Sequence, residues 1–206
     1  MNKLLIYTSL ILIILSCKNS NKEFIDIFQE ECTQFYFGIT ENKFLECSAF
    51  QLNYPLNWEY KIENTKNDTT YVLVEILDTT NILELTDEKF DNKYNNFQTI
   101  SITFGEIYKS FDYVSEFETV YQQISTNKQY RIKESGNASF NSTKTKWIVY
   151  NDNSYKKDKL ECESVTTCIL NSKYYMRIVI QTFGNNDVEL RKCKAMEIIK
   201  TLKIKV

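Results

Sequence analysis

The sequence predicts an α+β domain in which an antiparallel sheet carries helices packed on its faces. Three observations support that expectation. From about Phe44 the apolar residues recur with a period of two, as in half-buried strands, and three other stretches recur with the helical period. A chain of 206 residues with 1 Pro and 4 Gly also has no linker or internal repeat to divide it. With 43% hydrophobic residues against 25% charged, it is too apolar for disorder.

Met1-Asn2-Lys3 is a positively charged start, and Leu4 to Leu15 is an apolar run of 12 residues broken only by Tyr7-Thr8-Ser9. A membrane-spanning helix needs about 20 apolar residues, so this run has the length of a signal-peptide core. It ends in Ile14-Leu15-Ser16-Cys17, which resembles the lipobox of bacterial lipoproteins. That resemblance implies cleavage after Ser16 and lipidation of the Cys17 thiol. The organisation expected is a lipoprotein signal peptide at 1–16, a lipidated tether at 17–23, and a single domain at 24–206. The implied location is exported and anchored to a bacterial membrane, on its periplasmic or cell-surface face, with the outer membrane favoured.

Phe24, Ile27, Phe28, Cys32 and Phe35 lie on one helical face, which predicts an amphipathic helix over 24–36. Strands are expected at Ala49–Tyr54, Tyr71–Asp78, Thr99–Phe104, Tyr130–Lys133, Lys146–Tyr150, Leu160–Leu170 and Tyr174–Phe183, the last two forming a hairpin. The stretch 79–97 reads as a long loop or short helix. A second helix is expected at Ser115–Ser125, with Ser115 as N-cap and Glu118 completing a capping box. A third is expected at Asp187–Leu202, capped by Asp187.

Phe50-Gln51-Leu52-Asn53-Tyr54-Pro55-Leu56-Asn57-Trp58 resembles the opening strand and Tyr-Pro-x-x-Trp turn of the PsbP-like fold. The middle helix, the long hairpin from Trp147 to Phe183 and the closing helix running into Ile204 are similar too. The resemblance covers about 44–206 and implies an α/β/α sandwich. That family holds photosystem extrinsic proteins, a Ran-binding factor and bacterial lipoproteins of the DcrB type, mostly adaptor or assembly proteins. The helix at Phe24–Phe35 has no place in that pattern. On their own chemistry, Pro55 ends the strand and Trp58 folds back onto the core.

The chain has no His, so Ser-His-Asp and Cys-His catalysis and His-ligated zinc are closed to it alone. With no Cys-x-x-Cys either, a metal is not expected, and no cofactor is expected. The net charge of −2, with no basic block, argues against nucleic acid as a partner. The carboxylate pairs Glu30/Glu31 and Glu161/Glu163 read as solvated surface.

Beyond Cys17 there are Cys32, Cys47, Cys162, Cys168 and Cys193, an odd set that an oxidising compartment would partly pair. Within one strand Cys162 and Cys168 stand about 20 Å apart, beyond disulfide reach. The other pairings stay open; our expectation is Cys32 with Cys47, closing the first helix onto the domain. Arg177, a charge inside the apolar run Tyr174–Phe183, is the leading candidate ligand or partner contact. Trp58 and Trp147 are further candidates, although core packing is the commoner role for such residues.

These readings converge on a membrane-anchored, non-catalytic lipoprotein that serves as a binding or adaptor module of the cell envelope. The membrane, through lipidated Cys17, and an envelope protein are its expected partners. The alternative is a His-independent envelope hydrolase or transferase using carboxylates or a Ser-Lys pair. That alternative predicts a concave pocket holding titratable groups with perturbed pKa values.

Overall fold

The computed structural model describes residues 22–33, 42–46, 50–56, 58–65, 71–78, 98–106, 113–158, 161–170, 174–184 and 188–205. The expected α+β class is observed. A large antiparallel sheet is built from β3 (Trp58–Thr65), β4 (Tyr71–Asp78), β5 (Gln98–Glu106), β6 (Tyr130–Phe140), β7 (Thr143–Asp152), β8 (Cys162–Leu170) and β9 (Tyr174–Phe183). Its spatial order is β3-β4-β5-β9-β8-β7-β6. A small sheet pairs β1 (Asn42–Glu46), β2 (Phe50–Pro55) and β10 (Lys203–Ile204) in the order β1-β2-β10. The helices are α1 (Phe24–Cys32), α2 (Tyr113–Thr126) and α3 (Val188–Lys200), and a 3-10 turn covers Asn153–Asp158.

Alternation along the strands divides the core in two. Ile100, Ile102, Ile178 and Ile180 face α1, α3 and the small sheet, and form the main cluster with Phe24, Phe28, Leu52 and Ile198. On the opposite face Ile148, Cys168 and Tyr175 pack against Phe117, Val120 and Ile124 of α2. Helices therefore cover both faces of one sheet. β8 is buried on both faces, so its hydroxyl-rich Ser164, Thr166 and Thr167 lie inside.

Several boundaries differ from expectation for identifiable reasons. α2 begins at Tyr113, so Ser115 lies in its first turn and is not the N-cap. Pro55 ends β2 as expected, but β3 follows at once in the other sheet. The Trp-Glu-Tyr-Lys-Ile-Glu alternation of β3 is clear enough, yet a strand-ending proline argues against a strand so close behind it. β1 buries one residue, Leu45, and owes its form to pairing with β2. β6 and β7 extend to a two-residue turn in which Asn141 (φ 48°) and Ser142 (φ 65°) both adopt positive φ, the pattern of a type I′ hairpin.

Cys32 pairs with Cys193, which corrects the expected Cys32–Cys47 bond. α1 packs against α3, and that long-range contact brings the two sulfurs together across a separation of 161 residues. Cys47, the segment 79–97, Asp187 and the whole of 1–21, Cys17 included, lie outside the described residues.

Candidate functional site

Among the described residues, α2 covers only part of one face of the large sheet. α2 packs on β6 and β7. Beside it, over β5, β8 and β9, runs a groove of about 380 Å³. Register explains its contents: Arg177 stands opposite Thr103 of β5 and Cys168 of β8, while Val179 stands opposite Ser101 and Thr166. These alternate residues share one face of the sheet. Val120, Gln123 and Ile124 of α2 form the facing wall.

Arg177 is the only charged residue among the described residues of the lining. Its Nε is buried without a hydrogen-bond partner, and its guanidinium has no ion pair with any described residue. A buried donor left unsatisfied costs about 1–3 kcal/mol, and more when charged. The rest of the lining is neutral: the hydroxyls of Ser101, Thr103 and Thr166, the Gln181 amide and the apolar Val179. Tyr130 and Tyr150 close the wall, their rings edge to face at 5.3 Å between centroids. Burial, and then the nearby Asp152 carboxylate, raise the Tyr130 pKa, so this phenol stays protonated at neutral pH. The groove therefore offers one cation, several neutral hydrogen-bonding groups and an apolar wall.

A larger cleft of about 470 Å³ opens on the other face, between α1, α3 and β6 to β8. Lys133, Lys192, Glu31, Glu163 and Glu189 in its lining are paired with one another. Lys192 is 5% exposed, and its Nζ lies 2.5 Å from Glu189 Oε2 and 3.0 Å from Glu31 Oε2. Glu163 Oε1 stands 3.4 Å away, within ion-pair range but not aligned as a hydrogen bond. Lys133 donates to the other Glu163 oxygen. Burial pulls the Lys192 pKa down, yet the carboxylates of Glu189, Glu163 and Glu31 together outweigh it and raise the value above the usual lysine range. A general base or amine nucleophile needs the opposite shift. This cleft therefore holds a structural charge network, not an activated lysine.

The residues singled out from sequence have separate fates. Arg177 lies in the groove. Trp58 (0% exposed) and Trp147 (6%) are buried in the main core, the commoner role for such residues, rather than set at a ligand or partner contact. Trp147 packs edge to face on Phe28 and lies flat against Gly136, where an added Cβ would come within 3.1 Å of the ring. Glu163 is 5% exposed, so reading Glu161/Glu163 as a solvated pair fails for its second member. The missed residue is Lys192. It falls on the apolar stripe of Val188, Ala195, Met196 and Ile199, and a lysine at such a position is a readable sign of a buried charge.

Cys162 is a buried thiol whose pKa is pushed up to about 12, chiefly by desolvation, so it is unreactive at neutral pH. Among the described residues no group of three or more Cys, Asp or Glu is gathered to hold a metal, and no helix is long and apolar enough to cross a membrane.

The chain matches no protein-family model and no curated protein by sequence. Solved structures similar to it include the cyanobacterial PsbP, CyanoP, from Synechocystis sp. PCC 6803, at 12% identity over 82% of this chain and 95% of that chain, with a TM-score of 0.47. They also include LpqN, involved in cell envelope biogenesis of Mycobacterium tuberculosis, at 11% identity over 91% of this chain and 100% of that chain, with a TM-score of 0.50. What this chain shares with LpqN, at so low an identity and over nearly the full length of both, is the fold.

Proposed function

We propose that this protein is a membrane-tethered, non-catalytic binding module of a bacterial cell envelope, placed at the outer membrane. The observation that carries the binding role is the half-open groove, in which one guanidinium, unpaired among the described residues, is set among neutral hydrogen-bonding groups. Such a lining recognises a ligand but supplies no nucleophile with its base. Tethering is supported by the Ile14-Leu15-Ser16-Cys17 motif. The six residue steps from Cys17 to Glu23 span about 20 Å at most. Glu23 is fixed to the body, accepting hydrogen bonds from Ser139 Oγ at 2.9 Å and Asn141 N at 3.1 Å. LpqN, of the same fold, is involved in cell envelope biogenesis, which supports the envelope part of this reading.

The test has two arms. Labelling with [³H]palmitate is expected in the wild type and lost in Cys17→Ala; labelling unchanged by that substitution removes the tether. Envelope components retained by the wild-type protein are expected to be lost when the groove is filled by Val179→Trp. Identical retention by both forms removes the groove as the binding site.

A further inference from the structure

Resting on that reading, we infer that the groove takes a monoanionic ligand whose planar carboxylate binds Arg177 and whose apolar or aromatic body lies along Val120, Ile124 and Val179. Charge balance selects the anion's valence. The described lining carries a single positive charge and no carboxylate, so one negative charge neutralises it, whereas a phosphate dianion would be left with an unmatched charge in a partly desolvated site.

Shape selects the carboxylate. A guanidinium presents coplanar N–H donors that a carboxylate accepts in pairs, and Arg177 lacks an acceptor among the described residues. The neutral partners suit such a head group: the hydroxyls of Ser101, Thr103 and Thr166 can donate to its oxygens or to polar atoms next to it. The α2 wall is apolar at Val120 and Ile124, and offers burial to a hydrocarbon or ring but nothing to a second charge. A volume of about 380 Å³ falls in the range of small-molecule sites.

The chain has only three arginines, Arg131, Arg177 and Arg191, so the ¹⁵N–¹H Nε signals of the full-length protein in detergent are few and assignable. Hexanoate and benzoate are expected to move the Arg177 signal saturably, while hexanol and inorganic phosphate leave it in place. Arg177→Gln should weaken hexanoate binding, followed by calorimetry, by roughly 10- to 100-fold, the effect of losing a charge-assisted fork. Arg177→Lys, which keeps the charge and loses the fork, should fall between the two and serves if the Gln variant does not fold.

Absence of a saturable shift with either carboxylate, or equal binding by Arg177→Lys and wild type, overturns the inference. Phosphate binding as tightly as hexanoate overturns the carboxylate assignment. If Val179→Trp still abolishes retention of envelope components while the carboxylates fail, the groove is a binding site for other chemistry and only this inference falls.

Discussion

Lys192 is buried and charged, a combination that survives only because Glu31, Glu163 and Glu189 surround it. Removing one member of a buried pair leaves the other uncompensated, at a cost of about 3–5 kcal/mol. Glu163 keeps Lys133 as a second partner, so Lys192→Met is expected at the low end, about 3 kcal/mol. For a domain of this size that lowers Tm by roughly 6–12 °C in a calorimetric scan. The double variant Lys192→Met, Glu163→Leu should recover part of the loss, because it removes the stranded charge as well. Additive losses in the pair would show that the two side chains act independently.

Cys162 and Lys192 are among the groups that set an alkaline limit. The Cys162 thiol has its pKa raised from 9.0 to about 12 in the folded state. The unfolded chain therefore loses that proton first. The stability it contributes is fully present below pH 9 and is lost as pH rises towards 12. Lys192, raised above 10.5, acts in the same direction from that pH upward. Urea midpoints should be flat from neutral pH to about 9 and then fall, and Cys162→Ala should delay the fall. A midpoint that is constant to pH 11 would contradict both assignments.

Among residues, Arg177 was legible because a charge in an apolar run is conspicuous. Glu163 was not, because burial of both faces of β8 depends on what covers each face.

At the scale of elements, α1 is attached to the body at two neighbouring positions, by the Glu31–Lys192 ion pair and by the Cys32–Cys193 disulfide. In the chain-entropy description, cross-linking residues this far apart stabilises the fold by about 5 kcal/mol, although measured effects commonly fall between 2 and 5. Cys32→Ser is expected to lower stability within that range. It should also raise hydrogen exchange in α1 well before β8 and β9, whose amides sit in the middle of the sheet. Equal protection of α1 in both forms would mean that the packing of Phe24 and Phe28 and the Glu31–Lys192 ion pair hold the helix without the disulfide.

Strands with clean alternation, such as Thr99–Phe104 within β5, were readable from local periodicity. β1 and β10 were not, since each is short and gains its form from pairing with β2.

At the scale of the whole molecule, Glu23 holds the start of the domain at the β6–β7 turn. On the proposed anchor at Cys17, that end of the large sheet faces the bilayer. β6 runs from Tyr130 to Phe140, which places its two ends roughly 33 Å apart. Energy transfer to a dye in the bilayer is therefore expected to be stronger from a fluorophore at Ser142 than from one at Lys128. Equal transfer from the two positions would show that the body tumbles freely on its tether.

The sequence by itself determined the α+β class, the helical and extended character of most elements, the chemistry closed to a chain without His, and the interest of Arg177. All of these follow from residue type and local period. Only the tertiary structure decided which cysteine meets Cys32, that Glu163 and Lys192 are buried together, that both tryptophans are core, and that Arg177 lies in a groove beside α2. The physical reason is range. Periodicity reports which way a side chain points relative to its neighbours in the chain, whereas burial and pairing depend on which distant element arrives to cover it.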